Sequence, residues 1–155
     1  MANLNQYLDR AYLAKFRATN PNVKDNSEDC SGFLQSLMQE LNISLPPDAN
    51  ADGIIDFMKQ NWKHLGNGDM GLKQAMKAAQ AGKLIIVGAN SKDYGARNGH
   101  VAVVLPKTNN GLPYIYGGAM APIARTQGSK TLNYVFSRKY FPKLAYFEAP
   151  GEVPT

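Results

Sequence analysis

Residues 29–41 read DCSGFLQSLMQEL. Phe33, Leu34, Leu37, Met38 and Leu41 recur at the three-to-four-residue spacing that puts apolar side chains on one face of a helix. This predicts a core helix over Cys30 to Leu41, with Ser27 or Asp29 suited to cap its start. Cys30 then lies in the first turn of an element that must pack its apolar face against something large.

Upstream, Thr19 to Glu28 is rich in Asn, Asp and Ser with a Pro, and reads as a loop. Before it, Leu4, Tyr7, Leu8, Ala11, Tyr12 and Phe16 predict an amphipathic first helix. Downstream, Pro46 and Pro47 close the region. After the loop Asp48 to Gly53, residues Ile54, Ile55, Met58, Trp62 and Leu65 predict another helix, and a further one runs from about Met70 to Ala81 with Gly82 as its terminator. Leu84 to Val87 is a short branched apolar run that reads as a buried strand. A polar loop from Asn90 to Gly99 precedes a second strand, His100 to Leu105, and Asn109-Asn110-Gly111 makes a turn before a third, Tyr114 to Gly117. Two more strands are expected near Leu132 to Phe136 and Leu144 to Phe147. Helices first and an antiparallel sheet afterwards is the α+β pattern, and with no linker or repeat it predicts one catalytic domain over residues 1–155.

The chain has 155 residues, of which 44% are hydrophobic and 19% charged, enough to bury one core around a sheet. No apolar run reaches bilayer-spanning length, so no membrane insertion is expected. The opening MANLNQYLDRAYLAKF has no cationic start, apolar segment or cleavage site of a secretory signal, which predicts a protein made in the cytoplasm without one. A single cysteine excludes an internal disulfide and a four-cysteine zinc site. The formal charge of +5 favours anionic partners such as nucleic acid, a membrane surface or the anionic polymer of a bacterial wall.

A thiol at a helix N-terminus faces the positive end of the helix dipole, which stabilises the thiolate, and the same N–H groups can hold the oxyanion formed when it attacks a carbonyl. Gly32 costs about 1 kcal/mol against Ala inside a helix and leaves space beside the sulfur for a substrate backbone. His100, opening the strand GHVAVV, is placed to take the thiol proton, and a thiolate–imidazolium pair is expected.

The strings DCSGFLQSLMQELNISLP and GHVAVVLP resemble the NlpC-type branch of papain-like cell-wall peptidases, and most closely its small amidase effectors delivered by type VI secretion. The resemblance covers about Asp25 to Tyr116. It implies a papain-like fold with the nucleophile at a helix N-terminus packed on an antiparallel sheet. It also implies hydrolysis of the stem peptides of peptidoglycan by Cys30 and His100 without a cofactor or metal. The bond it suggests is D-glutamate to diaminopimelate, with the diaminopimelate–D-alanine cross-link as the alternative. It further implies a type VI secretion route, action in the periplasm of a target bacterium, and a separate immunity protein that occludes the groove. Relatives often carry a His, Asn, Gln or Asp on the strand after the histidine strand, but Leu112 to Ala124 has none. A backbone carbonyl near Tyr116 or Gly117, or the Tyr116 hydroxyl, is left to orient His100. Asp29 and Ser31 either cap the helix or line the substrate groove, as the matching family positions do, and Tyr94 either lines that groove or is an exposed aromatic.

His64, in NWKHLG, reads as a solvated helix-end residue. The loop Asp48 to Gly53 mimics half of a calcium loop, but Lys59 stands where the bidentate Glu is required, so it reads as a loop that caps the next helix through Asp52. Lys130, Arg138, Lys139 and Lys143 read as a solvated face, since a nucleic-acid groove would interleave such charges with aromatics. The readings from other classes are a catalytically idle module that binds wall or nucleic acid, and a cysteine enzyme acting on a protein amide.

Overall fold

The computed structural model describes residues 3–16 and 22–154. Of the expected loop Thr19 to Glu28, residues Thr19, Asn20 and Pro21 lie outside these. The first helix, α1 (Leu4–Leu13), starts in a reciprocal cap. Asn3 Oδ1 accepts from the Gln6 N–H at 3.0 Å while Gln6 Oε1 takes the Asn3 N–H at 2.8 Å. A 3-10 turn, Asn26–Glu28, leads into α2 (Cys30–Glu40), and α3 (Ala51–Asn61) follows. The strands are β1 (Lys63–Asn67), β2 (Ile85–Ala89), β3 (His100–Asn109), β4 (Leu112–Gly117), β5 (Thr126–Thr131) and β6 (Ala145–Glu148). Between them lie α4 (Gly68–Gln80), α5 (Ser91–Tyr94) and α6 (Leu132–Val135).

The six strands form one antiparallel sheet in the order β1-β6-β2-β3-β4-β5. Alternation along the central strands divides the core in two. Ile86, Val101, Val103, Tyr116 and Phe147 face α1, α2 and α3, where they meet Leu8, Phe33, Leu34, Leu37, Ile54 and Met58. Ile85, Val87, Ala102, Val104, Ile115 and Tyr146 face the other way, onto Leu72 and Ala75 of α4 and Leu132 and Val135 of α6. The sheet is therefore covered on both faces, with the helix that carries Cys30 on one side and α4 and α6 on the other. Among the described residues no helix is long and apolar enough to cross a membrane.

Two expected elements differ. The helix through Trp62 and Leu65 ends at Asn61, and Lys63–Asn67 is instead an edge strand, bulged between His64 and Gly66, that pairs with β6. His64 is thus on a strand, stacked on Phe147 at 4.8 Å with its Nε2 2.8 Å from Asn67 Oδ1. The expected strand Leu132 to Phe136 is the short helix α6, and the strand of that region is the polar Thr126–Thr131 before it.

Candidate active site

The start of α2 is held from three directions. Asp29 is its N-cap, with Oδ1 accepting from the Gly32 N–H at 2.9 Å and from Ser31 Oγ at 3.1 Å. Asn26, in the turn just before, is 1% exposed and gathers the surrounding backbone. Its Nδ2 donates to the Ala11 carbonyl and to Ser36 Oγ, both at 2.8 Å, and its Oδ1 accepts from the Phe16 N–H at 3.2 Å. From the far side, the segment after β4 crosses this turn, with the Ala119 N–H donating to the Ser27 carbonyl at 2.9 Å. Cys30, half-buried as the first residue of α2, is presented by this braced turn.

Gly32 is needed here for a different reason than the expected one. A Cβ on Gly32 would stand 2.6 Å from Asp29 Oδ2 and 2.8 Å from Asn26 Oδ1. The space that glycine opens is filled by the two side chains that cap and brace the helix, so no substrate backbone enters there, and Gly32 does not line the groove.

His100 opens β3 opposite Ala89 and is 6% exposed. Tyr94 is stacked 6.4 Å from its ring and Phe136 is tilted against it at 5.3 Å; Tyr94 also meets Phe136 edge-on at 5.6 Å. Its Nε2 is buried with no hydrogen-bond partner. Burial pushes the imidazole pKa down to about 4, because a low-dielectric site penalises the charged form. Burial therefore favours the neutral imidazole over the imidazolium.

The Tyr116 hydroxyl does not orient this ring. Tyr116 pairs with Val103, three residues along from His100, so the two side chains leave β3 and β4 on opposite faces of the sheet. The hydroxyl donates to Asp9 of α1 and accepts from Gln127, and its ring packs against Tyr12 and Phe33. Burial and the Asp9 carboxylate both raise its pKa. Tyr116→Phe is accordingly expected to cost about 1–2 kcal/mol of stability in denaturant unfolding and to leave the alkylation rate of Cys30 unchanged.

An open groove of about 420 Å³ brings the remaining site residues together. Asp29, Cys30, Ser31, Tyr94 and His100 line it, joined by Asn50 and Asn98 and by an apolar wall that includes Ala119, Met120 and Ala124. The sequence reading did not single out Asn50, Asn98 or the apolar wall. It also misread Asp52, because the cap of α3 is Asn50, whose Oδ1 accepts from the Gly53 N–H at 2.9 Å. Asp52 instead reaches across to Ser91, taking its N–H at 2.7 Å and its hydroxyl at 2.5 Å. This ties the segment carrying Tyr94, Asn98 and His100 to α3.

A cysteine at a helix start and a histidine at a strand start, lining one groove on an antiparallel sheet, is the arrangement of a papain-like cysteine hydrolase. The family model for NlpC/P60 matches residues 19–133, and the chain belongs to the NlpC/P60 family. It is similar to the peptidoglycan amidase Tse1 of Pseudomonas aeruginosa, with 37% identity over 142 residues, covering 90% of this chain and 81% of that protein.

Proposed function

We propose that this enzyme hydrolyses an amide bond in the peptide stems of peptidoglycan, the bond between D-glutamate and diaminopimelate, with Cys30 as nucleophile and His100 as base. The observation that carries the reading is that Cys30 and His100 line one groove in a chain of this family, and the similarity to a peptidoglycan amidase supports the substrate class. Sγ attacks the carbonyl carbon while the neutral imidazole takes the thiol proton. The positive end of α2 stabilises the oxyanion. The imidazolium then protonates the leaving amine, and the thioester is hydrolysed by a water that His100 deprotonates. Aromatic packing by Tyr94 and Phe136 keeps the ring aimed in the absence of a hydrogen bond to Nε2.

Mass spectrometry of the muropeptides released from purified sacculi tests this. New amino-terminal diaminopimelate is expected with the unmutated protein and none with Cys30→Ala. Products ending at a severed cross-link would move the assignment to the diaminopimelate–D-alanine bond.

Asp52 supplies a further check. Asp52→Ala should lower kcat about tenfold or more with little change in KM, because a small displacement of the base from the nucleophile is costly, whereas Asp52→Asn, which retains one acceptor, should restore most of the rate. Equal loss in both variants would count against a positioning role for the carboxylate.

We further propose that the enzyme is an antibacterial effector carried by type VI secretion and restrained in its producer by an immunity protein seated over the groove. The resemblance in the two motif strings supports this. Expression in a bacterial cytoplasm should be tolerated, and expression behind an added export signal should lyse the cell. Lysis without export would sink the proposal.

A further inference from the structure

Between Asp93 and Glu148 the sequence carries seven Lys or Arg residues and no Asp or Glu. The single ion pair among the described residues, Arg10 to Glu40, lies elsewhere. Three of the seven cations fall in one 3-10 segment, Arg138–Lys143, and all three are exposed. Two of them are laid on aromatic rings. The Arg138 guanidinium stands 5.7 Å from the centre of Phe141, and Lys139 Nζ stands 4.9 Å from the centre of Tyr140. Such contacts hold long side chains in place while leaving the charge facing water. The acids on neighbouring elements are Asp93 on α5 and Asp69 on α4, and neither forms an ion pair with these cations.

This segment is continuous with the active-site groove. Tyr140 packs edge-on against Tyr94 at 5.0 Å, and Tyr94 lines the groove beside Cys30 and His100. The Tyr140 hydroxyl also lies 3.4 Å from where a side chain on Gly95 would begin. Lys139, laid on Tyr140, therefore forms with its chain neighbour Arg138 a cationic ledge beside the groove residue Tyr94.

We propose that this ledge docks the anionic peptidoglycan polymer, its cations pairing with stem-peptide carboxylates next to the stem held in the groove. The inference rests on the wall as substrate. The polymer repeats its carboxylates from stem to stem, and a cationic surface beside the cleavage site raises the local concentration of such a substrate. The contact is electrostatic and exposed, so it weakens as salt shortens the screening length from about 10 Å at 0.1 M.

The test is co-sedimentation of the full chain with insoluble sacculi in an inactive Cys30→Ala background, which separates binding from hydrolysis. Arg138→Glu with Lys139→Glu is compared with Lys59→Glu and Lys77→Glu, which make the same change in net charge on α3 and α4. The ledge variant is expected to bind about tenfold more weakly at about 0.1 M NaCl, the difference shrinking at about 0.5 M. The control should change less than about twofold. Equal weakening in both variants, or in neither, overturns the proposal. So does a ledge variant that loses affinity for double-stranded DNA while keeping it for sacculi. If charge reversal lowers the melting temperature, Arg138→Gln with Lys139→Gln makes the same comparison with a milder change. An unmutated protein that binds sacculi through the ledge but releases no muropeptide would sink the enzymatic reading and leave the docking surface standing.

Discussion

Alanine in place of His100 is expected to lower kcat for muropeptide release about a thousandfold, the range over which a positioned general base acts, with KM changed little. The pH profile carries the sharper information. Because burial holds the imidazole pKa at about 4, the acidic limb of kcat/KM in the unmutated enzyme should fall near pH 4 and not near the ordinary histidine value of about 6.5. The neutral base is present above that pKa and lost as pH falls through it. Stability moves in the same direction. Below about pH 6.5 the unfolded chain takes up a proton at this histidine that the folded chain refuses until about pH 4. Unfolding free energy should therefore drop across that window by about 3 kcal/mol more in the unmutated protein than in His100→Gln. Urea titrations of both at pH 7 and pH 4 measure it, and parallel losses would place the imidazole in contact with water.

Gly118→Ala should be nearly as damaging, although residue 118 touches no substrate. A Cβ there would stand 1.8 Å from the Asn26 carbonyl oxygen and 3.2 Å from the Ser27 carbonyl carbon. Both neighbours are backbone atoms in the turn that presents Cys30, so one of the two crossing segments must move. A loss of about 3 kcal/mol or more is expected in denaturant unfolding, with alkylation of Cys30 and muropeptide release altered together. Gly53→Ala is the comparison. Its added methyl meets only Ala49 Cβ at 3.2 Å and Asn50 Oδ1 at 3.5 Å, and it should shift stability by about 1 kcal/mol at most.

The parts of this fold that could be read from the sequence are those in which side-chain chemistry repeats. The helical periodicity of Phe33 to Leu41 and the branched run from Leu84 place α2 and β2 within a residue or two of where they lie. The juxtaposition of Cys30 and His100 came from their two motif strings, and one groove contains both. β1 was not legible, because Lys63-His64-Leu65-Gly66-Asn67 has no alternation. It is a strand only because β6 supplies its hydrogen bonds. The reverse happened at Leu132 to Phe136, where branched and aromatic residues suggested a strand but the packing against β4 is made by a helical turn. The roles of Asn26, Asp52 and Phe136 arise from contacts between distant segments, and no local spacing announces them. The adjacent Gly117 and Gly118 were a usable signal, since paired glycines at a strand end mark a place where another backbone comes close.

The strand order has a consequence for how the chain reaches its active form. β6 lies between β1 and β2, so the sixth strand in chain order joins the edge strand β1 to the rest of the sheet. Until Ala145–Glu148 arrives, β1 has no strand to pair with and β2 has one open edge. Pairings between distant parts of a chain are slow because loop closure precedes the contacts that reward it. A nascent chain already exposing the thiol of Cys30 would thus have helices α1 to α3 packed on a sheet that still lacks β6 and its Phe147. Hydrolytic competence should then appear in a single late step, and a ribosome-stalled chain ending before Ala145 should show no protection of the β2 amides that bond to β6.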